Sequence, residues 1–180
     1  VLYIKNRIKF LTTKPSRGFQ QKKGAEACNT KWLFFLHADT ELNRNNILDI
    51  ESFTHKFANH DNIAFFNISF REKKFSAKLI SAWSNFRTVF FKLPFGDQGL
   101  LIRRDYYFKL GGHSKNKIME DLDFIIKVPK KNRILLKSKV LTSFRSYENN
   151  GVILQGAIHL LCQIMFFLKF NKKSIYKIYK

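Results

Sequence analysis

Acidic residues are scarce in this chain. It carries 13 Asp and Glu against 33 Lys and Arg in 180 residues, a formal charge of +20. That balance points to nucleic acid, an anionic membrane surface or a polyanionic substrate such as a nucleotide diphosphate. Lysine outnumbers arginine 24 to 9, and Phe, Ile and Asn are also abundant. These residues share A/T-rich codons, so genomic bias accounts for part of the basicity. Cysteine is nearly absent. Cys28 and Cys162 lie far apart without metal-ligand spacing, which excludes a disulfide framework or a zinc site and fits a reducing, cytoplasmic setting. There is no internal repeat, no low-complexity linker and no basic-apolar-small leader pattern. The chain opens on Val1, and the expectation is that it begins inside a longer gene.

The length suits one domain with a sizeable core. Within it the few acids are unevenly placed. Six of the thirteen fall in three short stretches, at 37–41, 96–98 and 119–123. Carboxylates gathered in this way in an acid-poor chain read as ligands or bases.

The stretch at 32–42 organises the reading. An apolar run, Trp32-Leu33-Phe34-Phe35-Leu36, stops at His37, Asp39 and Glu41. Such a run reads as a buried strand of a mostly parallel sheet, and open α/β sheets bind ligands at strand carboxyl ends. Asp39 is then a candidate ligand for Mg²⁺ or Mn²⁺, hard cations that take carboxylate and phosphate oxygens. His37, two residues back, would sit on the same side. A core strand followed by a polar turn explains the same stretch equally well.

Other segments follow by periodicity. Residues 1–13 alternate apolar and basic side chains and read as short strands. Residues 19–29 read as a helix, 43–59 as a helix opened by Asn43 to Asn46, and 63–70 as a second apolar strand. Residues 75–92 read as a long helix whose aromatic stripe (Phe75, Trp83, Phe86, Phe90) belongs to the core or to an acceptor-side wall. Leu100 to Arg103 reads as a short strand, and 105–110 as a helical turn capped by Asp105. Residues 118–127 read as a helix with its acids at the N-terminal end, where a carboxylate is held ionised and suited to general-base work; simple capping is the plainer account. Strands follow at 134–140 and 141–144. Residues 151–170 are apolar except for Gln155, His159 and Gln163, one polar stripe on a helix. That pattern suits either an interfacial helix whose flanking lysines meet anionic headgroups or a helix docked on protein.

Several short motifs follow one another along the chain: Ser16-Arg17-Gly18-Phe19-Gln20, Leu36-His37-Ala38-Asp39-Thr40, Gly96-Asp97-Gln98, Met119-Glu120-Asp121 and Arg145-Ser146-Tyr147-Glu148. Taken together they resemble family 2 glycosyltransferases, especially a bacterial branch with LHADT, GDQ and MED motifs, sometimes labelled selenodomain-associated or arsenosugar-biosynthesis type. The resemblance covers nearly the whole chain and rests on motif order and spacing. It implies a Rossmann-like GT-A fold at 1–150, with 151–180 as a C-terminal helical extension. It also implies a nucleotide-diphospho sugar donor, a hydroxyl acceptor and a divalent metal. In that frame Asp39 is the metal ligand and Asp121 the catalytic base of an inverting displacement. Arg17, Gln20, His37, Gly96, Asp97, Gln98, Glu120 and Arg145 bind substrate. Relatives begin with a further strand and turn that hold the nucleotide; here the chain starts after them, Lys22 stands in place of Asn, and Pro129 interrupts a basic helix. The expectation is therefore a fragment of the fold lacking half the donor wall.

The rival reading is a non-catalytic basic module for nucleic acid or an anionic membrane, built on aromatic–lysine neighbours such as Lys74-Phe75 and Phe91-Lys92. No RNA-binding signature accompanies it. The expected location is the cytoplasm, at the inner face of the membrane if 151–180 makes peripheral contact.

Overall fold

The computed structural model describes residues 8–116, 118–145, 147 and 151–179. Residues 1–7 of the expected first strand, and Ser146 and Glu148 of the last motif, lie outside them. Residues 8–15 form no regular element.

Four strands form one sheet: β1 (Trp32–Phe35), β2 (Ile63–Phe70), β3 (Leu100–Arg103) and β4 (Arg133–Thr142). Their spatial order is β1-β3-β2-β4. The expected mostly parallel sheet is corrected to a mixed one. β2 and β4 run parallel, but β3 is antiparallel to both its neighbours, β1 and β2. The strands expected separately at 134–140 and 141–144 are one strand, β4.

β2 is almost wholly buried: its apolar run Ile63–Phe66 is fully enclosed, and only the polar Asn67 and Ser69 are partly exposed. Alternate side chains serve opposite faces. Ile63 and Phe65 join Leu33, Ile102, Tyr107 and Phe124 in one core. Ala64, Phe66 and Ile68 join Phe53, Leu101, Val140 and Phe144 in the other. Helices cover both faces, which makes the domain mixed α/β.

The helices are α1 (Arg17–Glu26), α2 (Arg44–Lys56), α3 (Phe75–Phe91), α4 (Arg104–Lys109), α5 (Glu120–Ile125), α6 (Val152–Phe167) and α7 (Lys172–Tyr179). α2 begins in a reciprocal cap: Asn43 Oδ1 accepts from the Asn46 N–H, and Asn46 Oδ1 accepts from the Asn43 N–H. α4 starts one residue earlier than expected. Asp105 lies in its first turn, with Arg103 at the cap position.

β3 pairs with β2 only at Ile63 and Ala64. Beyond that point side chains replace the missing strand. Gln98 donates to Phe66 O (2.9 Å), while Asn85 accepts from Ile68 N–H (2.8 Å) and donates to Ile68 O (3.0 Å). These bonds satisfy backbone groups that would otherwise be buried without partners.

α3 differs from its expected orientation. Its aromatic stripe faces outward: Phe75 is 76% exposed and Phe90 69%. Ala77, Ser84, Arg87 and Thr88 face the protein instead. Periodicity defines a face but not which way it points. Here the inward face is held by polar contacts. Arg87 donates to Leu93 O (3.0 Å), Ser84 Oγ (3.2 Å) and Gln98 Oε1 (3.2 Å), and Thr88 donates to Gln98 Oε1 (2.9 Å).

The expected single helix at 151–170 is α6, which stops at Phe167; α7 follows after a break. Both helices pack on Ile118 and Met119 through Cys162, Met165 and Ile175.

Candidate functional site

β1 ends at Phe35, and His37 and Asp39 stand in the turn beyond it. The turn is bound to the end of β4. Glu41 N–H donates to Leu141 O (2.7 Å), and Leu141 N–H donates back to Glu41 O (3.3 Å). Arg71 reinforces it, donating to Asp39 O (2.9 Å) and pairing with Glu41 (2.8 Å). The Asp39 carboxylate is left half exposed, facing the cavity described below.

Two glycines allow the other pieces to approach. Gly18, in the first turn of α1, lies against Ser114 O, where a β-carbon would stand at 2.0 Å. That contact sets Arg17 over α5. Gly96 faces Asp121 at a point where a β-carbon would stand 2.7 Å from Oδ2. Without a side chain there, the Gly96 N–H donates to Asp121 Oδ2 at 3.1 Å.

α5 has six residues, shorter than the helix expected at 118–127. Its orientation of Asp121 comes from the Gly96 N–H and Arg17 more than from a helix dipole, since the macrodipole needs aligned peptides. Met119 takes a left-handed backbone (φ 57°) and turns the chain into α5. The three acids of α5 then separate in role. Asp123 is tied down by Ser114, Asn116 and Lys172. Glu120 is buried, 3.2 Å from Arg17 Nε. Asp121 lines the cavity, with Arg17 at 3.9 Å.

A polar chain links the two ends of the site. Arg17 contacts His37 Nε2, and His37 Nδ1 lies 3.6 Å from Asp39 Oδ1. His37 thus stands between the Arg17 guanidinium and the Asp39 carboxylate.

Burial shifts several groups. It raises the Asp97 carboxyl, with Asp121 adding to the effect and Arg87 and His37 opposing it. Asp97 Oδ1 is buried without a hydrogen-bond partner among the described residues. Burial, then the Asp121 charge, raises Glu120, with Arg17 opposing. Burial pushes His113 down to about 4, so its ring is neutral at pH 7. Burial also pushes Tyr107 up to about 12, so its hydroxyl keeps its proton. That hydroxyl accepts from His113 N–H (3.0 Å) and shares a hydrogen bond with His113 Nδ1 (2.9 Å). His113 Nε2 lies 4.0 Å from Asp121 Oδ1.

Asp97 and Glu120 open on a cavity of about 330 Å³, in the range of small-molecule sites, which His113 and Tyr107 do not line. Arg17, His37, Asp39, Asp97, Glu120 and Asp121 line one part of it. Tyr147, His159, Gln163 and Tyr179 line another, so α6 and α7 close the site. The polar stripe of α6 thus faces the interior. His159 is held between Gln155 (2.8 Å) and Tyr147 (3.2 Å) and stacks on Tyr179.

Three residues expected to bind substrate stand elsewhere. Gln98 is fully buried, with its amide committed to Phe66, Phe95, Arg87 and Thr88; it braces the Gly96–Gln98 turn. Gln20 lies on the exposed side of α1, and Arg145 is exposed; neither lines the cavity. Conversely, His113 carries no sequence signal for a site, His159 and Gln163 carry only the four-residue polar spacing of α6, and Tyr147 carries only its place in the motif at 145–148.

Among the described residues no group of three His, Cys, Asp or Glu is placed to hold a metal. The chemistry of Asp39 fits a narrower case. Mg²⁺ sites commonly use one or two carboxylates and complete their shell with substrate phosphates and water. No protein-family model, no curated protein and no solved structure matches this chain.

Proposed function

We propose that this chain is a glycosyltransferase of GT-A type, moving a sugar from a nucleotide-diphospho donor to an acceptor hydroxyl with inversion. The observation that carries the reading is the meeting of Asp39 and Asp121 in one cavity, joined through His37 and Arg17. Asp121 acts as general base. It takes the proton of the acceptor hydroxyl as that oxygen bonds to the anomeric carbon and the bond to the diphosphate breaks. The Gly96 N–H orients the Asp121 carboxylate. Arg17 holds positive charge between the two ends of the site. Asp97, which lines the cavity, accepts from a sugar hydroxyl. A Mg²⁺ or Mn²⁺ ion on Asp39 would supply charge against the leaving diphosphate.

Asp121→Asn should abolish transfer and leave nucleotide binding near normal, read by product formation and calorimetry. Asp39→Ala should remove the Mn²⁺ dependence of nucleotide diphosphate binding. Wild-type turnover by the first variant, or unchanged metal-dependent binding by the second, would overturn these roles.

A further inference from the structure

Two helices are turned inside out. α3 directs Ser84, Arg87 and Thr88 inward and leaves Phe75, Leu79, Trp83, Phe86 and Phe90 exposed. α6 directs Gln155 and Gln163 inward and leaves Leu154, Leu160, Leu161, Ile164 and Phe167 exposed. The helices meet at Ile80, which lies over Gly156 so closely that a β-carbon there would touch its Cδ1 at 3.4 Å. The two helices touch at this point. On α3 the outer rings build on one another: Trp83 stacks on Phe86 at 6.0 Å, and Phe90 packs at a tilt on Phe86 at 4.5 Å. Apolar surface of this extent is uncommon on a protein with nothing docked there.

Charge selects the occupant. No Asp or Glu occurs from Lys73 to Gly96, or anywhere in 151–180. Lys78 is exposed on α3, and Lys169, Lys173 and Lys177 are exposed at the end of α6 and on α7. An apolar face rich in aromatics with a purely cationic rim matches a bilayer carrying anionic headgroups. Tryptophan suits the headgroup boundary, where an apolar ring meets water. No helix among the described residues is long and apolar enough to cross a membrane. α6 has 16 residues, about 24 Å of rise, against a hydrocarbon core of about 30 Å. The geometry points to α3 and α6 lying in the plane of an anionic membrane surface as a joint docking face. This inference rests on the outer faces alone and stands apart from the transferase reading.

The full chain should sediment with phosphatidylcholine–phosphatidylglycerol vesicles, bind phosphatidylcholine vesicles more weakly, and lose affinity as salt rises. In a Trp32→Phe background, Trp83 emission should shift to the blue on vesicle addition. Phe86→Ser with Phe90→Ser, and separately Ile164→Ser with Phe167→Ser, should each weaken vesicle binding by about tenfold or more. Thermal midpoints should stay near wild type because these side chains lie outside the core. The inference is overturned if the wild-type chain stays in the supernatant and Trp83 emission does not move. A dimer in equilibrium sedimentation that ignores vesicles would assign the face to a second copy and overturn it too. So would undiminished vesicle binding by both double variants.

Discussion

The sheet and the pair α3 and α6 solve the burial problem in opposite ways. β2 buries Phe65 and Phe66 completely, each on its own side of the sheet. α3 and α6 keep polar side chains inside and send aromatic and aliphatic ones out. The sheet must bury apolar residues because both its faces are covered and its backbone is paired. The two helices carry less of that role, α3 burying Ala77 and α6 Cys162 and Met165 beside their polar groups. Their inward polar groups hold the edge of β2, brace the Gly96–Gln98 turn and line a cavity. Hydrophobicity alone therefore does not predict depth in this molecule. What lies opposite each helix decides which face turns in.

Substitutions on either side sharpen this contrast. The largest loss should come from Phe65→Ala, which empties a site at the centre of the sheet and should cost about 4 kcal/mol in urea unfolding. Gln98→Ala should cost about 3 kcal/mol, because Phe66 O, Phe95 N–H and Thr88 Oγ1 lose their buried partner together. A small effect of that variant would mean the polar inward face of α3 does little structural work. The aliphatic and aromatic outer residues should behave differently: Phe86→Ser and Ile164→Ser should each change stability by less than about 0.5 kcal/mol. A core-like loss at either position would break the comparison.

The buried polar groups also predict a dependence on pH. His113 binds its proton less readily folded than unfolded, its value falling from 6.5 to about 4 mainly through burial. The unfolded chain then holds more protons in that window, so stability should fall as pH drops from 6.5 towards 4. His113→Gln should flatten this part of the profile. Asp97 and Glu120 act with the opposite sign, since burial raises both carboxyls and their cost grows as pH rises through the raised values. Asp97→Asn, measured beside His113→Gln, separates the two contributions.

Much of the local structure was legible in the chain. The apolar run at 63–70 is β2, residue for residue, because a continuous apolar stretch has few other uses. The polar opening at Asn43 is a reciprocal cap because an amide there satisfies a free N–H. The uneven placement of acids also led to the site, since Asp39, Asp97, Glu120 and Asp121 all reach the cavity. Gln98 did not read correctly, because a buried amide and a substrate-facing amide are the same residue in a motif. His113 left no signal at all, since its contact with Asp121 depends on how 113 and 121 fold together.

The sequence by itself determined the periodicities: which residues share a face, and where negative charge is kept in a basic chain. Those follow from backbone geometry and side-chain chemistry within a few residues. Only the tertiary structure decided direction. It set β3 antiparallel between two strands that are parallel to each other, turned the polar faces of α3 and α6 inward, and joined Arg17, His37 and Asp39 to Asp121. Direction depends on which distant groups need partners, and no window of sequence contains both members of such a pair.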